Sequence, residues 1–215
     1  MAKLPMSPYQ TTFETWNKVA SAYQEKFMDL DLYDDTYDAF FSLIENQNAR
    51  IFEIGCGPGN ITKYLLAKRP DFRIEAIDVA PNMLELAKKN NPGANFRQMD
   101  CREIDTIYQK FDGIMCGFAM PYLSQPDCSK LIKDCAALLQ TGGIFYCSAI
   151  EGNYEQSGYE ANSAGDKMYV YYYPESFLQM QLQQNNFKTV HFFRKKLPKA
   201  EGTISTHLIF IAWKN

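Results

Sequence analysis

Between residues 50 and 150 the chain alternates short apolar runs with amphipathic segments, and this alternation constrains its fold more than any other feature. "RIFEIG" is followed by "NITKYLLAKR", "FRIEAID" by "APNMLELAKKN", and "NFRQMD" by a short "REIDTIYQK". "FDGIMCG", the helical "QPDCSKLIKDCAALLQ" and "IFYCSAI" complete the series, with Gly142-Gly143 expected to stop that helix. Strands joined by helical crossovers run parallel, so the pattern predicts a parallel sheet covered by helices on both faces. A ligand is expected at the carboxyl ends of the strands, where the strand order reverses.

The flanks differ. Residues 8–27 read as one helix, with Ser7 as its cap, Pro8 in its first turn, and Phe13, Trp16, Ala20 and Tyr23 on one face. A second helix is expected over 34–47, with Tyr37, Phe40, Phe41 and Ile44 as its apolar side. Near the other end, Pro174 opens a helix through "ESFLQMQLQQNNF", and "KTVHFFRKK" and "STHLIFIAW" follow as strands. Two strands joined that closely must be antiparallel. Residues 151–173 carry no clear element and read as a long loop of the kind that is often functional. The length of 215 residues fits one domain.

Gly55, Gly57 and Gly59 follow the first strand as G-x-G-x-G. A dinucleotide-binding turn is G-x-G-x-x-G, and Asn60 occupies its third glycine position. Glu53 discriminates further, because a carboxylate two residues before Gly55 repels a pyrophosphate and suits an ammonium group. Its alternative role is to accept hydrogen bonds from amides of the glycine turn. Asp78 ends the second strand, where a carboxylate commonly accepts from ribose hydroxyls. It also suits a helix cap before Pro81-Asn82. Asp100 ends the third strand, placed either to accept from an adenine amino group, with the Cys101 N–H serving a ring nitrogen, or to cap a helix over 102–108. An amino acid, a ribose and an adenine would each find a partner here. S-adenosylmethionine combines all three.

These stretches resemble the class I S-adenosylmethionine-dependent methyltransferases. "FEIGCGPGN" is similar to the glycine motif of that family, "AIDVAPNMLELAKK" to its second-strand segment, and "MDCREI" to its adenine-binding segment. "FDGIMCGFAMPYL" resembles the fourth strand and the loop facing both cofactor and substrate, and "LLQTGGIFYCSAI" the helix–strand unit after it. The resemblance implies a Rossmann-like, doubly wound α/β fold: a mostly parallel seven-stranded sheet with an antiparallel C-terminal strand. It implies a single domain over 1–215, with a helical cap (1–49), a cofactor-binding core (50–150) and a substrate-side segment with the terminal strands (151–215).

Residue by residue, it implies cofactor contacts from Glu53, Gly55, Cys56, Gly57 and Asn60. Asp78, Val79 and Met83 follow, the last beside the adenine, then Asp100, Cys101, Cys116 and Gly117. Tyr23, in "VASAYQEKF", would fold over the cofactor or pack in the core. Tyr122 would stand beside the reacting methyl or pack on the following helix. Trp16 and Tyr171 join it as expected acceptor contacts, Tyr171 within the tyrosine-rich "MYVYYYP" that also suits strand packing.

The expected function is transfer of a methyl group to a small-molecule acceptor by in-line displacement. A noncatalytic S-adenosylmethionine-binding protein and an NAD-dependent oxidoreductase are the alternatives, the second disfavoured by Glu53 and Asn60. No catalytic base stands out. His191 and His207 both lie on apolar strands, where a satisfied core histidine is the commoner role, and this is expected of His191. His207 begins the antiparallel strand, where an approach to the ligand edge is the alternative and a catalytic role the lesser reading. "RKKLPK" reads as a solvated charge run, and a net charge of −3 gives no nucleic-acid footprint. The spacing of the six cysteines suggests neither a metal site nor a disulfide framework. With no signal-peptide pattern and no bilayer-length apolar run, reduced thiols and a cytoplasmic location are expected.

Overall fold

The computed structural model describes residues 7–162, 164–199 and 202–215. Helices α1 (Pro8–Lys18), α2 (Ala20–Phe27) and α3 (Asp34–Ser42) precede the sheet. Then β1 (Arg50–Ile54), α4 (Asn60–Lys68), β2 (Arg73–Asp78), α5 (Pro81–Asn90), β3 (Asn95–Gln98) and β4 (Phe111–Cys116) alternate as expected. They are followed by α6 (Gln125–Leu138), β5 (Leu139–Glu151), β6 (Gly158–Ala161), β7 (Lys167–Val170) and β8 (Tyr172–Tyr173). The chain ends with α7 (Glu175–Gln184), β9 (Phe187–Pro198) and β10 (Ile204–Lys214).

Seven strands form a continuous sheet in the order β3-β2-β1-β4-β5-β10-β9, with β8 as a short addition beside β5. Strands β1 to β5 are parallel, and β10 runs antiparallel to both β5 and β9. The order reverses between β1 and β4. Ile54 lies level with Ile77 on one side and Cys116 on the other, so the turns after β1, β2 and β4 open at one edge. This edge is the topological switch point.

Strand alternation divides the core between two faces. Phe52 and Ile54 of β1 pack with Leu131, Ile132, Leu178 and Leu182 of α6 and α7. Ile51, with Ile74 and Ala76 of β2, packs with Tyr37, Phe40, Leu65 and Leu84 of α3, α4 and α5. All six cysteines are free thiols. Among the described residues no helix is long and apolar enough to cross a membrane.

Four local expectations are corrected. The single helix over 8–27 is broken at Val19. In a straight helix Trp16 and Tyr23 would be separated by about 10 Å along the axis; the break brings their rings to 5.4 Å, edge to face. The second helix stops at Ser42 rather than 47, and beyond it the Arg69 guanidinium donates to the carbonyls of Ile44 and Asn46. Helix α6 ends at Leu138, and Gly142-Gly143 instead forms a bulge in β5, with Gly142 at φ 77°.

The fourth correction concerns residues 151–173. They are not a loop but hold β6 and β7, an antiparallel ribbon, and β8. The ribbon is stitched to α1: the Tyr169 N–H donates to Thr12 Oγ1 (2.9 Å), and Thr15 Oγ1 donates to the Lys167 carbonyl (2.5 Å). Together α1 and the ribbon cover the switch-point edge.

Candidate active site

The turn after β1 carries three glycines in left-handed conformations: Gly55 (φ 68°), Gly57 (φ 54°) and Gly59 (φ 83°). Only glycine adopts these angles without strain. A Cβ on Gly59 would lie 2.3 Å from Asn91 Nδ2, and one on Gly55 would lie 3.1 Å from the Ala119 Cβ. The Gly55 and Cys56 amides donate to the Ile77 carbonyl. Asp78 completes the tie: its carboxylate accepts from Gly57 N (2.9 Å) and from Ala80 N (2.8 Å). Asp78 is thus a clamp between two turns, and α5 carries no side-chain cap. Burial raises its pKa, against the lowering pull of the amides it binds.

Asp100 caps the short 3-10 turn over Cys101–Thr106 through Arg102 N and grips the Arg102 guanidinium at 2.6–3.0 Å. That guanidinium lies 4.0 Å from the Tyr9 ring centroid. Glu53 is fully buried on β1. One oxygen accepts from Thr62 Oγ1 of α4 (2.5 Å), and Oε1 has no partner. Its partner is therefore a helix hydroxyl, not an amide of the glycine turn. Burial, with Asp78 as a lesser cause, pushes the Glu53 carboxyl up to about 8.

A cavity opens over these turns. Its lining includes Gly55, Gly57, Asp78 and Val79 on one side, and Met83, Asp100 and Cys101 on another. Tyr23, Trp16 and Tyr122 close it from above. Thr12, Phe13, Met99 and Phe118 also line it and were not singled out from the sequence. Phe13 was legible as part of the apolar face of the first helix.

A second cavity adjoins the first, and Trp16, Tyr23, Phe118 and Tyr122 line both. The Trp16 ring meets Tyr122 edge to face at 5.3 Å, and its buried Nε1 has no hydrogen-bond partner. Beyond this aromatic partition the lining includes Asn60, Tyr33, Met168, Ser205 and His207. His207 Nδ1 is 2.7 Å from the Tyr33 hydroxyl, and Nε2 is 3.0 Å from Ser205 Oγ. Burial and then Lys199 lower the imidazole to about 4, so it is neutral at physiological pH. Tyr33 had no sequence signal, since it sits in the bend before α3.

The remaining expected site residues line neither cavity. Glu53 lies beneath the glycine turn, and Cys56 and Cys116 are buried in the core. Gly117 is pressed against Ile61, and Ser148 holds its carbonyl. Tyr171 is turned away because its ring packs with Tyr154 and Tyr169. His191 stands on β9 beside Phe193 and lines neither cavity.

Residues 51–143 match the family described as a methyltransferase domain. Over that span the chain is similar to the S-adenosylmethionine-dependent methyltransferases. Over 96 residues it is 44% identical to malonyl-[acyl-carrier protein] O-methyltransferase of Acetivibrio thermocellus, covering 44% of this chain and 33% of that protein. Over 57 residues it is 40% identical to trans-aconitate 2-methyltransferase of Methylobacterium nodulans, covering 26% and 22%. The matched stretches thus span a third or less of these two relatives.

The fold is shared with 1,6-didemethyltoxoflavin-N1-methyltransferase of Burkholderia thailandensis, solved with 1,6-didemethyltoxoflavin and S-adenosylhomocysteine. The TM-score is 0.72 at 18% identity, covering 100% of this chain and 93% of that one. In this chain the matched span supplies the floor of the first cavity. Trp16 and Tyr23 of its cover, and Tyr33, Ser205 and His207 of the second cavity, lie outside that span.

Proposed function

We propose that the protein transfers a methyl group from S-adenosylmethionine to a small-molecule acceptor by in-line displacement. The observation that carries this reading is the pair of cavities sharing one aromatic partition at the switch point. The first suits the cofactor. Its left-handed glycines let backbone approach a ligand, and the orphaned Oε1 of Glu53 is a buried acceptor beneath them. When bound, S-adenosylmethionine supplies a methyl group already activated by a sulfonium.

In this reading Asp78 accepts from ribose hydroxyls on the lone pairs its two amides leave unused. Asp100, Cys101 and Met83 hold the adenine, and Glu53 serves the ammonium group directly or through water. Tyr23 and Trp16 cover the cofactor, and Tyr122 borders the reacting centre. The single domain divides accordingly into a cap (1–49), a cofactor-binding core (50–150) and a substrate side (151–215). Alignment and exclusion of water are the chain's main contributions, and positioning of this kind supplies roughly 7–11 kcal/mol in favourable cases. Trans-aconitate and 1,6-didemethyltoxoflavin, named for two of the relatives, are small molecules. The second cavity, of about 200 Å³, favours an acceptor of that size over protein or nucleic acid.

Isothermal titration with S-adenosylmethionine, S-adenosylhomocysteine and NADH tests the cofactor. Binding of the first two and not the third is expected; NADH binding alone would overturn the reading. Methyl transfer followed by mass spectrometry over a metabolite panel then separates an enzyme from a noncatalytic binder.

A further inference from the structure

The second cavity carries a statement about the acceptor's chemistry, and it rests on the methyltransferase reading above. Four observations define it. The cavity has a volume of about 200 Å³, room for on the order of a dozen water-sized groups. Its wall toward the first cavity is aromatic, from Trp16, Phe118 and Tyr122, and its far side carries Met168 and Val170. Flat rings stack on such a surface or meet it edge to face.

Its charged residues are already satisfied. Lys199 Nζ lies 2.9 Å from Glu160 Oε2, and the Tyr172 hydroxyl donates to the other Glu160 oxygen. His207 is neutral. A charged acceptor would therefore lose its hydration without gaining a free counter-charge, which is costly.

A connected polar group in the lining is the chain Tyr33–His207–Ser205. Its proton count fixes what it can do. A neutral imidazole has one N–H and each hydroxyl one O–H, and the two bonds within the chain use two of these three protons. With Nε2 protonated, Tyr33 donates to Nδ1 and the Ser205 proton is left over. With Nδ1 protonated, Ser205 donates to Nε2 and the Tyr33 proton is left over. Either way one hydroxyl proton remains available, and the oxygens keep lone pairs. The chain can donate to a ligand or accept from one.

We infer that this methyltransferase takes an uncharged, flat aromatic or heteroaromatic acceptor of one or two rings. Its hydroxyl or ring N–H is held by the Tyr33–His207–Ser205 chain and its ring lies against the Trp16–Tyr122 partition. Tyr33 and His207 are positioning residues that set specificity.

The test uses full-length protein saturated with S-adenosylhomocysteine and two probes of one shape, 2-naphthol and 2-naphthoate, titrated calorimetrically. The expected result is binding of 2-naphthol at least tenfold tighter than 2-naphthoate. Tyr33→Phe and His207→Gln should each weaken 2-naphthol about three- to tenfold, the range for one lost hydrogen bond, while S-adenosylhomocysteine affinity stays unchanged and certifies the fold. Equal or tighter binding of 2-naphthoate, no binding of either probe, or unchanged 2-naphthol affinity in both variants would overturn the inference. Should S-adenosylhomocysteine itself fail to bind the unaltered protein, the methyltransferase reading fails instead.

Discussion

Thr62 of α4 donates its hydroxyl proton to one oxygen of Glu53 on β1, and the other oxygen of that buried carboxyl meets no partner. A charged carboxylate so placed is half satisfied, and its environment favours the proton. The consequence is a measurable dependence of stability on pH.

In the folded, ligand-free protein the Glu53 carboxyl titrates near 8, against an ordinary value of 4.5. Between these values the folded state binds more protons than the unfolded one. The contribution of Glu53 is therefore fully favourable below about 4.5, falls as pH rises through the window, and levels off above about 8. Glu53→Gln removes this loss. The variant should gain stability relative to the parent as pH rises from 5 to 8, by up to a few kcal/mol at about 1.4 kcal/mol per pH unit. Urea unfolding at several pH values checks it, and a variant-to-parent difference flat with pH would count against it.

His207 titrates in the opposite sense. Its folded value of about 4 lies below the ordinary 6.5. As pH falls below 6.5 the unfolded chain takes up the proton first, so acid weakens the fold across the interval down to about 4. His207→Gln should lose about 2 kcal/mol less than the parent between pH 7 and pH 5. Equal losses in the two proteins, measured by chemical denaturation, would place the acid sensitivity elsewhere.

Asp78 holds the turns after β1 and β2 together by two amide bonds. Hydrogen bonds to a charged group contribute about 1.5–3 kcal/mol each. Asp78→Ala should leave a folded protein, by circular dichroism, whose affinity for S-adenosylhomocysteine is down at least tenfold. Asp78→Asn, which keeps one acceptor, should fall between. Wild-type affinity in the alanine variant would limit Asp78 to holding the turns.

Two glycines with the same backbone preference should behave differently. Gly59 and Gly142 have φ of 83° and 77°, but a Cβ on Gly59 meets Asn91 at 2.3 Å while one on Gly142 meets nothing within 4 Å. Asn91 is buried and donates to the Gly59 carbonyl, so it has little room to give. Gly142→Ala should cost about 1–2 kcal/mol for left-handed backbone alone, and Gly59→Ala clearly more, about 3 kcal/mol or above. Thermal melts of the pair decide it; equal losses would mean that Asn91 moves freely.

The sheet was legible because its code is local. Each apolar run from "RIFEIG" onward is long enough for a strand and each amphipathic segment has one buried face, so the type of each element and the parallel direction of the strands followed. The floor of the first cavity was legible for the same reason: Gly55, Gly57, Asp78 and Asp100 stand at strand ends, positions that sequence marks. Contacts between distant segments were not. Neither the pairing of Tyr33 with His207, 174 positions apart, nor the binding of α1 to the ribbon of β6 and β7 leaves a periodic trace. Tyr171 misled because a tyrosine-rich strand reads alike whether its rings face a ligand or one another.

Trp16 and Tyr122 each present a face to both cavities. Under the proposed reaction, a ligand that orders these rings from one side leaves less disorder for the other ligand to remove. The two binding equilibria are then thermodynamically linked, and linkage is reciprocal: each ligand tightens the other by the same factor. The same cycle governs the end of a turnover. Demethylated cofactor and methylated product stabilise one another across the rings, and departure of either loosens the hold on the one that remains.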